Sequence, residues 1–185
     1  MTRIVEELLA TLYSNVSPYS ASEEKYIDHG YPHTNILADL LKLLFKTIEP
    51  VYIVECGSMV GGSAIRMAQT SEAQIVCIDP FTGDVNMWDW ERNDGWKFLR
   101  LENGIPTIYK RFLANCKEAG FEDRILPINC TTNVGIKLLQ RLKDQEKQIH
   151  RTNKGCKLGR CIWSRTNKSI LNHRPGGLVN ILKTY

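Results

Sequence analysis

The sequence predicts an α/β domain built on a doubly wound parallel sheet. Two short continuous apolar runs, Val51-Tyr52-Ile53-Val54 and Ile75-Val76-Cys77-Ile78, have the length and composition of strands buried on both faces. Between them stand Gly57, the pair Gly61-Gly62 and a helical stretch at 63–70, so the segment forms a βαβ unit with a glycine-rich first turn. Amphipathic stripes at helical spacing flank this unit, and strands and helices alternate over the first 146 residues.

Taken in order, Ile4, Val5, Leu8, Leu9 and Leu12 make one apolar face of a helix from about 3 to 14. A loop rich in Ser, Pro, Tyr and His, 15–33, leads to Thr34, a candidate N-cap for a helix with the stripe Leu37, Leu40, Leu41 and Leu44 that stops before Pro50. After the first strand and the glycines, Ala64, Ile65 and Ala68 share a helix face, and Asp79-Pro80 closes the second strand. The stretch 81–104 is polar and aromatic. Its Trp88, Trp90 and Trp96 offer large rigid area for a lid over a substrate, or equally a cap on a small core. Pro106 suits the first turn of a helix with the stripe Ile108, Phe112 and Cys116, and Gly120 suits its C′ position. A third strand at 124–128 and a helix carrying Val134, Leu138, Leu139 and Leu142 complete the regular part. Beyond 146 the periodicity fades, and only 161–163 and 178–182 read as strand fragments.

Composition limits the class. At 185 residues the chain suits one domain that buries roughly 70% of its unfolded surface. Hydrophobic residues at 43% and charged residues at 24% exclude wholesale disorder and coiled coil. No apolar stretch approaches the roughly 20 residues that span a bilayer, and Glu6 and Glu7 interrupt any leader-like run, so a cytoplasmic protein without membrane partners is expected. Six cysteines without a C-x-x-C pair fit a reducing compartment, and Cys156 and Cys161 read as ordinary thiols. His29 and His33 are four apart, but Gly30 and Pro32 break any helix that would aim both at one metal. Residues 147–185 carry nine basic side chains and no acid, which leaves the first 146 with fifteen basic against twenty acidic residues, a balance of −5.

The chemistry concentrates in VYIVECGSMVGGSAIRMA, 51–68. Glycines after a strand allow a ligand close to the backbone, and the helix that follows presents free N–H groups. Glu55 at the strand's tip would repel a pyrophosphate and favour an amine-bearing ligand, while Asp79 at the end of the next strand has the acceptors for ribose hydroxyls. A dinucleotide oxidoreductase would be served by Asp79, but not by Glu55 or by the spacing G-x-x-x-G-G.

These residues resemble the class I S-adenosylmethionine-dependent methyltransferases. The first motif of that family, E-x-G-x-x-x-G-x-S, is matched by Glu55, Gly57, Gly61 and Ser63, and the second, an acid closing strand two, by Asp79. The variant looks most like the small-molecule O-methyltransferases of catechol-methyltransferase type and the related cephalosporin-hydroxylase and macrolide-sugar group. Asp79-Pro80-Phe81-Thr82-Gly83-Asp84 is similar to the D-x-[WF]-x-G-D of the latter, and NCKEAGFEDRI, 115–125, to the helix-to-strand-three connection of both. The resemblance covers about residues 33–146. It implies a Rossmann-like methyltransferase sheet with an N-terminal helical cap over 1–48, S-adenosylmethionine as cofactor and a small-molecule hydroxyl as acceptor. Gly57 and Ser58 would then cradle the amino-acid end of the cofactor, Asp79 would take the ribose, the stretch 129–132, with Thr131, would lie against the adenine, and Glu55, Gly61 and Ser63 would complete the cofactor site.

The family's acceptor side is not matched. The acid-bearing end of strand four has no counterpart, since 149–160 holds no carboxylate and offers a divalent metal no hard oxygen ligand. Pro175-Gly176-Gly177 is similar to the family's turn into strand five, without the acids that follow it. The sheet is therefore expected to be incomplete at the C-terminus, with 147–185 a basic atypical tail, no catalytic residue assigned and catalysis impaired. The rival expectation is a non-catalytic binder of the cofactor, or of nucleic acid through that tail.

Overall fold

The computed structural model describes residues 3–28, 35–89, 95–152 and 179–182. Four strands, β1 (Tyr52–Cys56), β2 (Gln74–Asp79), β3 (Ile125–Asn129) and β4 (Val179–Leu182), form one sheet in the order β3-β2-β1-β4. All three pairings are parallel, and Val54 stands level with Val76 on one side and Asn180 on the other. From β1 the chain winds outward through β2 to β3, then returns to the opposite side of β1 for β4. The winding reverses at β1, which makes the sheet doubly wound.

Parallel strands need crossovers. Helix α3 (Gly62–Thr70) links β1 to β2, α4 (Gly95–Leu99) and α5 (Ile108–Glu118) precede β3, and α6 (Thr132–Thr152) follows it. The N-terminal helical segment contributes to both layers. Helix α2 (Asn35–Ile48) packs with α3, and α1 (Arg3–Tyr13) with α6. Alternate strand residues divide accordingly. Ile53, Ile75, Cys77 and Ile125 join Phe45, Ala64 and Phe112 in one core, while Val54, Val76, Ile78 and Leu126 join Val5, Leu8, Leu139 and Leu142 in the other. Each large aliphatic side chain so buried contributes about 1.5–3 kcal/mol, which explains why the strands read as unbroken apolar runs.

Several boundaries differ from the expected ones. Pro106 lies outside α5, which is preceded by Thr107 at its N-cap. Gly120 does take the left-handed C′ position (φ +74°), and the N–H groups of Gly120 and Phe121 close on the carbonyls of Lys117 and Cys116, the double closure of a Schellman motif. Val134, expected on the buried stripe of α6, is 56% exposed. Gly135 faces the sheet instead, where a Cβ would come within 2.6 Å of the Ile78 side chain, so the helix approaches β2 through its glycine. Helix α6 continues past 146 to Thr152, and the fragment at 178–182, read as a strand, forms β4 directly beside β1. The fragment at 161–163, the histidines at 29 and 33, Trp90, Cys156 and Cys161 lie outside the described residues. No helix among the described residues is long and apolar enough to cross a membrane.

Candidate functional site

At the carboxyl ends of β1, β2 and β3 the chain makes three adjacent turns, the first of them beside the point where the winding reverses, the end of an open α/β sheet at which ligands usually bind. The first turn carries the glycine motif. Gly57 (φ +81°) donates its N–H to the Ile78 carbonyl at 3.0 Å, and Gly61 (φ +90°) donates to the Ser58 carbonyl at 2.8 Å before capping α3. Both left-handed conformations favour a residue without Cβ. At Gly61 a Cβ would also come within 3.0 Å of the Cys116 sulfur and 3.2 Å of the Phe112 ring.

Asp79 ties the first turn to the second. One carboxylate oxygen accepts the Met59 N–H at 2.9 Å and the other the Phe81 N–H at 2.6 Å, while the side chain is 4% exposed. Met59 (φ +50°) and Phe81 (φ +52°) are themselves left-handed. The acid expected to meet a ribose therefore already organises the backbone around it, with only its spare lone pairs left for a ligand.

Glu55, expected at an amine, lies behind the turn. It is 1% exposed, accepts a hydrogen bond from the Ser63 hydroxyl at the start of α3, and takes another from the Cys77 thiol at 3.7 Å. The reason is the strand alternation. Residue 55 shares its face with Ile53, beneath α3, so its carboxylate pins the helix to β1. Burial, and next the Glu55 carboxylate, push the Cys77 thiol well up. Burial likewise raises Cys56, against a hydrogen bond with Thr132 that lowers it. Ser58 is also buried, at 2% exposure. Gly57 and Met59 are partly open, and Thr131, on the third turn, is exposed and accepts the Gly135 N–H through its carbonyl at 3.0 Å.

Beside the second turn, Trp88 donates its indole N–H to the Thr82 carbonyl at 2.8 Å and meets Trp96 edge-on, with ring centroids 5.7 Å apart. Trp88 keeps 40% of its surface exposed, and Trp96 packs on the core. Of the two, Trp96 takes the core-capping role and Trp88 stays at the surface. A cavity of about 710 Å³ opens at the opposite end of the sheet, lined by Phe45, Pro50, Val51 and Gln74 among others. It is a strand's length, about 16 Å, from the glycine turn and shares no residue with it. Among the described residues no cluster of His, Cys, Asp or Glu is grouped to hold a metal.

Sequence reasoning missed Arg111 and Asn115 on α5. Arg111 is 1% exposed and forms an ion pair with Asp28 at 2.7 Å, and Asn115 reaches the carbonyl of Val60 in the glycine turn at 2.9 Å. The only available signal was an arginine on the stripe side of a helix, which composition cannot separate from a solvated one.

No family model matches the chain, and no curated relative matches it. Among solved structures it is similar to an O-methyltransferase from Bacillus cereus in complex with SAH, at 14% identity and a TM-score of 0.37, over 76% of this chain and 49% of that one. It is also similar to a protein from Klebsiella pneumoniae assigned as an O-methyltransferase, at 17% identity and a TM-score of 0.32, over 67% and 48%. The chain spans about half the length of both.

Proposed function

We propose that this chain binds S-adenosylmethionine in the crevice over β1 and β2 and serves methyl transfer to a hydroxyl of a small molecule. The observation that carries the reading is the turn after β1. Two left-handed glycines four residues apart bring bare backbone to the carboxyl end of the central strands, and Met59 locks that turn onto the acid that ends β2. Gly57 and Met59 would hold the cofactor's amino-acid end, Asp79 would lend its spare lone pairs to the ribose, and Thr131 would lie along the adenine. Glu55, Gly61, Ser58 and Ser63 support that cradle from behind rather than touch the ligand. S-adenosylmethionine supplies an electrophilic methyl group on a sulfonium. The chain's part is to hold an acceptor oxygen in line with it and to exclude water, for which exposed Trp88 beside the second turn is the available surface.

Calorimetry with the folded chain tests this. S-adenosylmethionine and its demethylated product should each bind at one site, and NAD should not. A folded chain that binds neither of the first two refutes the reading. A second reading, a binder without turnover, is favoured by the sequence of 147–185, which lacks the acid-bearing segment that the resembled family places at the end of its fourth strand. Methyl transfer from labelled cofactor to catechol-like or sugar hydroxyls separates the two.

A further inference from the structure

The glycine turn is braced from outside the sheet. Asn115, on α5 and 9% exposed, donates from Nδ2 to the Val60 carbonyl at 2.9 Å and accepts the Asp28 N–H on Oδ1 at 2.8 Å. The amide orientation follows from its partners, because the flipped amide would set donor against donor and acceptor against acceptor. Asp28 is held in turn. Its Oδ2 accepts from Arg111 Nε at 2.8 Å and pairs with Nη2 at 2.7 Å, while its Oδ1 pairs with Arg100 Nη1 at 2.8 Å. Arg111 is itself fastened by the Phe98 carbonyl and lies over the Phe98 ring, 4.3 Å from its centroid. One continuous chain of polar contacts, buried at its Asn115 end, therefore runs from α4 through α5 and Asp28 to the turn that carries Gly57 and Gly61.

We propose that Asn115, backed by the Asp28–Arg111–Arg100 ion cluster, is a positioning residue that holds the glycine turn and sets the affinity of the crevice for its ligand. Naming that ligand rests on the cofactor reading above; the coupling of Asn115 to the turn does not. Val60 is the residue between the two bonds that shape the turn, Met59 N–H to Asp79 and Gly61 N–H to Ser58. Freeing its carbonyl lets the peptide planes on either side rotate, and both bonds weaken together.

Hydrogen exchange followed by mass spectrometry tests the coupling without any ligand. Asn115→Asp keeps an acceptor for the Asp28 N–H but sets a carboxylate oxygen against the Val60 carbonyl. Exchange over 57–61 should then quicken about tenfold or more, with less change over 17–28. Arg100→Ala, at an exposed position where folding is safe, should quicken both segments about two- to fivefold. Val5→Ala, in the core layer on the other face of the sheet, serves as a destabilised control that leaves 57–61 unchanged relative to global opening. Unchanged protection of the turn in Asn115→Asp overturns the proposal. Should that variant fail to fold, unchanged protection in Arg100→Ala overturns it equally. In a second arm, the product S-adenosylhomocysteine should bind Asn115→Asp about tenfold more weakly than wild type, and equal affinity counts against the proposal. Wild-type chain that takes no S-adenosylhomocysteine defeats the cofactor reading while the exchange result still decides the role of Asn115.

Discussion

Asp79 carries two duties that pull on the same atoms. Its carboxylate satisfies the N–H groups of two left-handed, non-glycine residues, a conformation that costs about 1–3 kcal/mol each unless the surroundings hold it. Asp79→Ala is therefore expected to lower stability by about 2–4 kcal/mol, through two amides left without acceptor, before any ligand is considered. Asp79→Asn retains one acceptor oxygen and should lose about half as much. Chemical denaturation of the three proteins checks this. An alanine variant as stable as wild type would mean that Asp79 does not organise the turns, and would leave it free for a ligand. Glu55 makes the same point from the other side. As a sequence position it is an acid at a strand tip, but the alternation of β1 directs it under α3 to Ser63 and Cys77. A residue's chemistry was readable in advance, and its direction was readable only as far as the strand register was known.

Among the elements, β3 shows how an outer strand is sealed. The Arg124 carbonyl faces β2 and accepts the Ile75 N–H at 2.7 Å, so by alternation the carbonyls of Ile125 and Pro127 face away from the sheet. Two tyrosines close them, with the Tyr19 hydroxyl donating to Ile125 O at 2.7 Å and the Tyr13 hydroxyl to Pro127 O at 2.6 Å. Pro127 sits where its missing N–H would have pointed outward, which is the position in which an edge strand tolerates proline. Burial pushes both phenols above their ordinary range, so they remain donors. Tyr19→Phe should cost about 1–3 kcal/mol by leaving the Ile125 carbonyl buried without a partner, and Tyr13→Phe, half-buried, should cost less. Thermal melts decide it, and a Tyr19→Phe protein as stable as wild type would show that the edge needs no such closure. Aromatic residues in the 15–33 loop were visible in the sequence, but nothing local tells a loop tyrosine that it will meet a strand more than 100 residues away.

At the scale of the whole molecule, β4 is the decisive connection. It pairs with β1 over Ile53 to Cys56, so the central strand is hydrogen-bonded on both sides and the winding reverses beside the glycine turn. A chain ending at residue 178 is expected to lose at least about 2 kcal/mol of stability and to self-associate, because β1 then becomes an open apolar edge. Differential scanning calorimetry and size-exclusion chromatography of the shortened chain check this. Melting at the full-length temperature as a monomer would show that 179–182 adds nothing to the fold.

The strand–glycine–helix–strand unit, the stripes of α1, α3 and α5, the glycine after α5 and the acid closing β2 were all legible because each depends on neighbours within a few residues, through periodicity of 2 or 3.6 or through a conformation that glycine adopts freely. The candidate crevice was legible to the same extent, as a motif on a turn. Tertiary structure alone decided which atoms remain open in it. It turned Glu55 inward, bound both oxygens of Asp79 to backbone, set Gly135 rather than Val134 against the sheet at the start of α6, and brought Asp28 and Asn115 onto the turn at Val60. It also returned 179–182 to the side of β1. These are contacts between residues far apart in the chain, set by strand register and by how close two elements can pack, and no local pattern encodes either.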